Sequence, residues 1–184
     1  MINEVLLTSE NFVRNLTNID NNVQSKFLLS AIRESQEVEL QQVIGTNMLN
    51  KLKGLVEDGT IEETEPYKNL LNECQLFLAY QSIVQLCLIS TVKISNGGLQ
   101  QTTDENLQVL DLQDTFTLQT HYQEKADFFR RRLQGYILDH KAELPEISQN
   151  KCNDMYAELH SAASTSLWLG GKRGKNNHRK CCKR

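Results

Sequence analysis

The sequence predicts a mainly α fold: a bundle of four to five helices with an inserted β-hairpin and a basic C-terminal tail. Three observations lead there. The 184 residues include only 2 prolines and 9 glycines, too few for a loop-rich sandwich and suited to long helices. Apolar residues recur at helical spacing through three long stretches. Glycines at Gly45 and at Gly97-Gly98 divide those stretches where helices would stop.

The elements follow in order. Val5-Leu6-Leu7 and the polar residues to Phe12 read as an extended lead-in and a short helical turn. Asp20 or a neighbouring Asn is placed to cap a long helix ending at Ile44, with Val23, Phe27, Ala31, Ile32, Val38, Leu40 and Val43 near helical spacing. Gly45 stops it, and Thr46 is expected to cap a shorter helix, Asn47 to Glu57, closed by the Asp58-Gly59 turn. Pro66 suits the first position of a third helix reaching Ser95, apolar nearly all round in its second half and therefore central. Alternation on either side of Asp104-Glu105-Asn106 predicts the hairpin, residues 99–113. A fourth long helix is expected from Asp114 to Lys141, with Leu118, Tyr122, Ala126, Phe129, Leu133, Tyr136, Ile137 and His140 on one stripe. Pro145 breaks it, and a last helix is expected from Glu146 to Ala157. Residues 1–171 thus form one domain, with the hairpin as an excursion, and 172–184 form the tail.

Charge separates these two parts. Lys172, Arg173, Lys175, Arg179, Lys180, Lys183 and Arg184 are seven cations in a segment without an acid. Thirteen basic residues then face all 23 acids in residues 1–171, a body of net charge −10. Such a body repels duplex phosphates, whereas the tail attracts phosphates or an acidic protein surface. The five cysteines lack the regular spacing of a disulfide framework, and Cys74 and Cys87 sit in an apolar run as small hydrophobes. No secretory leader and no membrane span is expected: the longest apolar run, Leu76 to Ile89, is interrupted by Gln81, Ser82 and Gln85.

No motif for catalysis, cofactor or metal emerges. Gly170-Gly171-Lys172-Arg173-Gly174-Lys175 has the composition of a phosphate loop without its glycine spacing or its hydroxyl after lysine. His178, Cys181 and Cys182 lack chelate spacing, and His121, His140 and His160 have no companion at ligand spacing. Glu62, Glu63 and Glu65 favour a helix start electrostatically. Arg130, Arg131 and Arg132 read either as a solvated face pairing with acids or as a partner contact. Trp168, between Leu167 and Leu169, reads as the edge of the core or as an interface anchor.

One pattern is familiar. Leu6-Leu7-Thr8, then Ile32-Arg33-Glu34-Ser35-Gln36-Glu37-Val38-Glu39-Leu40, then Ile44-Gly45-Thr46-Asn47-Met48-Leu49-Asn50-Lys51-Leu52 resembles the head–tail connector (adaptor) proteins of tailed bacteriophages. Within that family the likeness is to the neck ring proteins of crAss-like phages. Ser35-Gln36 stands where the family often has Ala-Gln, Glu39-Leu40 where it has Asp-Leu, and Ile44-Gly45 matches its turn. The resemblance implies a structural virion protein that performs no reaction. About twelve copies would form a ring below the portal protein, prolong the DNA channel and present a surface to the next neck or tail protein. It would assemble in the host cytoplasm and reside at the head–tail junction of the virion. Genomic DNA would slide past without sequence-specific binding. The competing reading is a DNA-binding or packaging accessory acting through the basic tail.

Overall fold

The computed structural model describes residues 5–20, 22–95, 98–101, 112–149 and 154–159. Trp168, the basic tail 172–184 and the expected hairpin turn at 104–106 lie outside these residues.

Ser9 opens α1, Glu10–Leu16, its hydroxyl accepting from the Phe12 amide at 3.1 Å. Asp20 does not cap the next helix. Its carboxylate instead accepts from the Asn22 amide at 3.1 Å, closing a turn, and the helix begins later, after Gln24. It runs as α2, Ser25–Glu34, a π-helical turn, Ser35–Leu40, and α3, Gln41–Ile44. The π turn was not expected, and it has a reason in the spacing. Leu28, Ile32, Gln36, Leu40 and Ile44 are all fully buried, each four residues from the last. In a pure α-helix a four-residue step overshoots the turn by about 40°, so five such positions would spread over about 160°. A wider π turn takes up part of that drift and keeps the row inward.

Gly45 separates α3 from α4, Thr46–Glu57. A short 3₁₀ turn, Ile61–Glu63, leads into α5, Glu65–Thr91, in which Pro66 is the second residue. This helix stops four residues short of the expected Ser95. Val92–Ser95 (β1) instead pairs antiparallel with Gly98–Gln101 (β2), Val92 opposite Gln101 and Ser95 opposite Gly98. The β-branched Val92 and Ile94 favour that extended backbone. Pairing therefore comes before the expected 99–113 hairpin, which the described residues do not contain as drawn. The last long helix is α6, Leu112–Asp139.

A final helix from Glu146 to Ala157 is not formed. Pro145–Ile147 makes a 3₁₀ turn, and the described residues 154–159 are non-helical. Ala157 and Leu159 both pack on the core, on either side of a tight turn in which the Leu159 amide donates to the Ala157 carbonyl at 3.1 Å.

Two hydrophobic clusters share α5. Leu70, Cys74, Phe77 and Leu78 join Leu40, Ile44, Met48, Leu52, Leu133 and Ile137 in the larger one. Ala79, Ile83 and Leu86, on the opposite side of the helix and further along it, join Val13, Leu28, Ala31 and Ile32. Each fully buried aliphatic side chain contributes about 1.5–3 kcal/mol, so these clusters dominate the stability.

Gln36 ties the lead-in to this core. Its Oε1 accepts from the Leu7 amide at 2.7 Å, and its Nε2 donates to the Val5 carbonyl and to Glu37 Oε1, each at 3.0 Å. Gln75 Nε2 donates to the Leu7 carbonyl at 2.8 Å. Two amides thus replace the sheet neighbour that an isolated extended segment lacks. Glu37 Oε1 also meets Lys53 Nζ at 2.5 Å, linking the π turn to α4. Burial alone would raise the Glu37 carboxyl, but the hydrogen bonds from Lys53 and Gln36 outweigh it and hold the pKa below the ordinary value.

Two outcomes are expected. The Ser35 hydroxyl is buried without a hydrogen-bond partner, so Ser35→Ala should leave the fold as stable or more stable by about 1 kcal/mol in urea unfolding. A comparable loss would show that the hydroxyl is used. Because the folded pKa of Glu37 is lowered, its contribution is full above the ordinary value of 4.5 and lost as pH falls through the folded value. Glu37→Gln should therefore flatten the fall of Tm on acidification relative to the parent chain, and a parallel pair of curves would refute this.

Candidate interaction surface

The chain turns back on itself after α6. Asn47, in α4, donates from Nδ2 to the Gln149 carbonyl at 2.5 Å and to the Glu146 carbonyl at 3.3 Å. Tyr67 donates its hydroxyl to Glu146 Oε2 at 2.7 Å; burial and that carboxylate push its pKa up to about 12. Residues 154–159 then run back as a strap over the α3–α4 joint.

Thr46 was expected to cap α4 and does not: it is the first helical residue. Its amide donates to the Met155 carbonyl, and its hydroxyl accepts from the Met155 amide, both at 3.0 Å. Gln41 Nε2 donates to the same hydroxyl at 2.8 Å. Further on, the Glu158 amide donates to the Gln42 carbonyl at 3.0 Å, and Gln134 Nε2 donates to the Glu158 carbonyl at 2.6 Å. Gly45 makes this approach possible. Its φ of 81° and ψ of 160° belong to a region that is essentially glycine-only. A Cβ there would stand 3.0 Å from both Ala157 N and Met155 O.

The three arginines have separate fates. Arg130 pairs with Glu158 at 3.2 Å and so helps seat the strap. Arg132 pairs with Glu73 of α5 at 2.6 Å, and Arg131 Nε donates to the Asp127 carbonyl of its own helix at 3.2 Å. Such partly exposed pairs contribute at most about 1 kcal/mol, less than the burial of Ala157 and Leu159 beside them. They tune the strap's seat and do not create it. Trp168 and the seven tail cations lie outside the described residues.

The outer half of α6 is a surface that the sequence did not reveal. No residue from Gln113 to Lys125 is buried. Phe116 is 57 % exposed, and Leu118, assigned above to the inward stripe, is 42 % exposed. Phe128, at 56 %, meets its neighbour Phe129 edge-on. A signal existed: residues two apart on a helix point about 200° apart, so Phe116 and Leu118 cannot face one neighbour, nor can adjacent Phe128 and Phe129. An open groove of about 290 Å³ is lined by Gln119, Thr120, Gln123, Glu124 and Asp127, and another of about 520 Å³ by Asp114, Thr117, Leu118 and His121.

Among the described residues no three His, Cys, Asp or Glu side chains gather to hold a metal ion. His121 is exposed and edge-on to Tyr122, while His140 stacks on Tyr136. The Cys74 thiol is buried and its pKa pushed up by that burial, keeping it protonated. No helix of the described residues is long and apolar enough to cross a membrane.

A family profile described as "Family of unknown function (DUF6712)" matches residues 40–156. No curated protein and no solved structure matches the chain. The matched span opens at Leu40, beside the α3–α4 joint, and ends within the strap that crosses it.

Gly45→Ala should therefore be costly. The glycine-only backbone alone accounts for about 1–3 kcal/mol, and the contact with the strap adds to it. Urea unfolding would measure this, and a loss below about 0.5 kcal/mol would contradict the close approach.

Proposed function

The chain belongs to the DUF6712 family, and we propose that it is a structural subunit of the neck of a tailed bacteriophage. Copies stand side by side in a ring between the portal and the tail and extend the channel through which DNA passes. The subunit performs no reaction and needs no cofactor.

The observation that carries this reading is the outer half of α6. A helix that exposes Phe116 on one face and Leu118 and Phe128 on others is suited to contact with further polypeptide. A closed ring supplies such contacts from each neighbour without leaving a free edge. The motif of the resemblance also coincides with the residues on which this fold closes. Ile32, Gln36, Leu40, Ile44, Leu49 and Leu52 are buried, and Gly45 receives the strap. The net charge of −10 over residues 1–171 suits a channel wall that DNA slides past.

The seven tail cations favour a second reading, a DNA-binding or packaging accessory whose affinity falls steeply with salt. Electron microscopy of the chain mixed with portal rings of its own phage separates the two. An added ring of density at the portal's outer end is the expected result. Bare portals together with salt-sensitive DNA binding would overturn it in favour of the accessory.

A further inference from the structure

We propose that neighbouring copies of this chain meet through the outer halves of their α6 helices, side by side and in register, with Phe116 of one copy seated in the hollow beside Leu118 of the next. This contact rests on the side-by-side reading above and identifies the surface that neighbours share.

The outer half of α6 has two different flanks. At about 100° per residue, Thr120, Gln123 and Asp127 fall within about 40° of Phe116 along one side of the helix. Lys125 lies two and a half turns beyond Phe116 and so points to the opposite side, where Leu118 and His121 fall within about 40° of it. Phe116 and Thr120 are exposed on the first flank, and Leu118, His121 and Lys125 on the second.

These flanks are complementary at equal heights. Phe116 is an apolar knob on the first. On the second, the hollow of about 520 Å³ is lined by Asp114, Thr117, Leu118 and His121, and its middle stands within about 3 Å of the height of Phe116. About two turns further on the relation reverses. Lys125 stands on the second flank, and the groove of about 290 Å³ on the first carries Glu124 and Asp127. Copies related by rotation about an axis that runs along α6 keep equal heights. Asp127 is then offset from the next copy's Lys125 by about 3 Å along the helix, and Phe116 from its Leu118 by as much. Packed helices stand about 8–10 Å apart, within reach of both pairs.

Both charges are held before any contact forms. Lys125 Nζ lies 5.3 Å from the centre of the Tyr122 ring and 5.8 Å from that of Tyr80, and Asp127 Oδ1 accepts from Gln123 Nε2 at 3.0 Å. Association therefore costs less side-chain freedom. Phe116 supplies affinity, and the charges set orientation. Because the flanks lie on opposite sides of one helix, the contact is heterologous and leads on from copy to copy, whereas a single self-complementary patch would stop at two.

Sedimentation velocity of the full-length protein, from micromolar to millimolar concentration, tests this. The parent chain should pass reversibly from monomer to species larger than a dimer. Phe116→Ser and Leu118→Ser, both at exposed positions, should each weaken association about tenfold or more, with far-UV circular dichroism unchanged. An equal mixture of the two should form dimers and stop there, because one sound contact remains between them. Asp127→Lys should weaken association, and a chain carrying both Asp127→Lys and Lys125→Glu should recover it. A parent chain that stays monomeric throughout would overturn the contact. So would a parent that stops at dimers, or association indifferent to Phe116→Ser and Leu118→Ser. Microscopy at the portal keeps this separate from the neck reading. Rings formed equally by the parent and by Phe116→Ser would refute the contact and leave the ring; mixed dimers in solution beside bare portals would uphold the contact and refute the neck role.

Discussion

Every other element of this fold depends on α5 being apolar on more than one side. Leu70, Cys74, Phe77 and Leu78 face one cluster, and Ala79, Ile83 and Leu86 face away from it into another. A helix of this kind cannot lie on a surface, because any exposed side would return apolar area to water at about 25 cal/mol per Å². It must be surrounded. The α2–π–α3 rod with α1, the α4 helix and the inner half of α6 do the surrounding, and their loops and turns follow from that arrangement. Burial also settles Cys74, whose thiol is inert where it sits.

Polar side chains inside this structure act mainly as fasteners for extended chain. Gln36 and Gln75 hold the lead-in, while Thr46, Gln41 and Gln134 hold the strap. Neither segment has a neighbouring strand among the described residues, so their backbone groups take partners from side chains and, in the strap, from the backbone of Thr46 and Gln42. The buried amide of Gln36 is fully engaged, which removes the penalty that an unpaired buried amide would carry. The π turn belongs to the same economy, since it is what brings Gln36 to face inward alongside Ile32 and Leu40.

The strap gives the molecule a defined exit. Close passage over Gly45 fixes where the chain lies at Met155, and Gln134 with Arg130 fixes where it lies at Glu158.

The sequence by itself determined the helical class, the central place of α5, the stop at Gly45 and the split between an acidic body and a basic tail. These follow from periodicity, glycine chemistry and charge, all local properties. Tertiary structure decided the rest. Thr46 carries a capping residue's hydroxyl, but a returning segment more than a hundred residues away claims it. Residues 146–149 and 154–159 contain helix-forming side chains, yet the backbone of Glu146, Gln149, Met155 and Glu158 is committed to Asn47, Thr46, Gln42 and Gln134. The strand pairing settled at 92–101, earlier than alternation around Asp104 suggested. Leu118 fits an inward stripe by spacing, but α6 outruns the bundle there and nothing in the described chain covers it. In each case the deciding partner is distant in sequence, and spacing within a segment cannot report it.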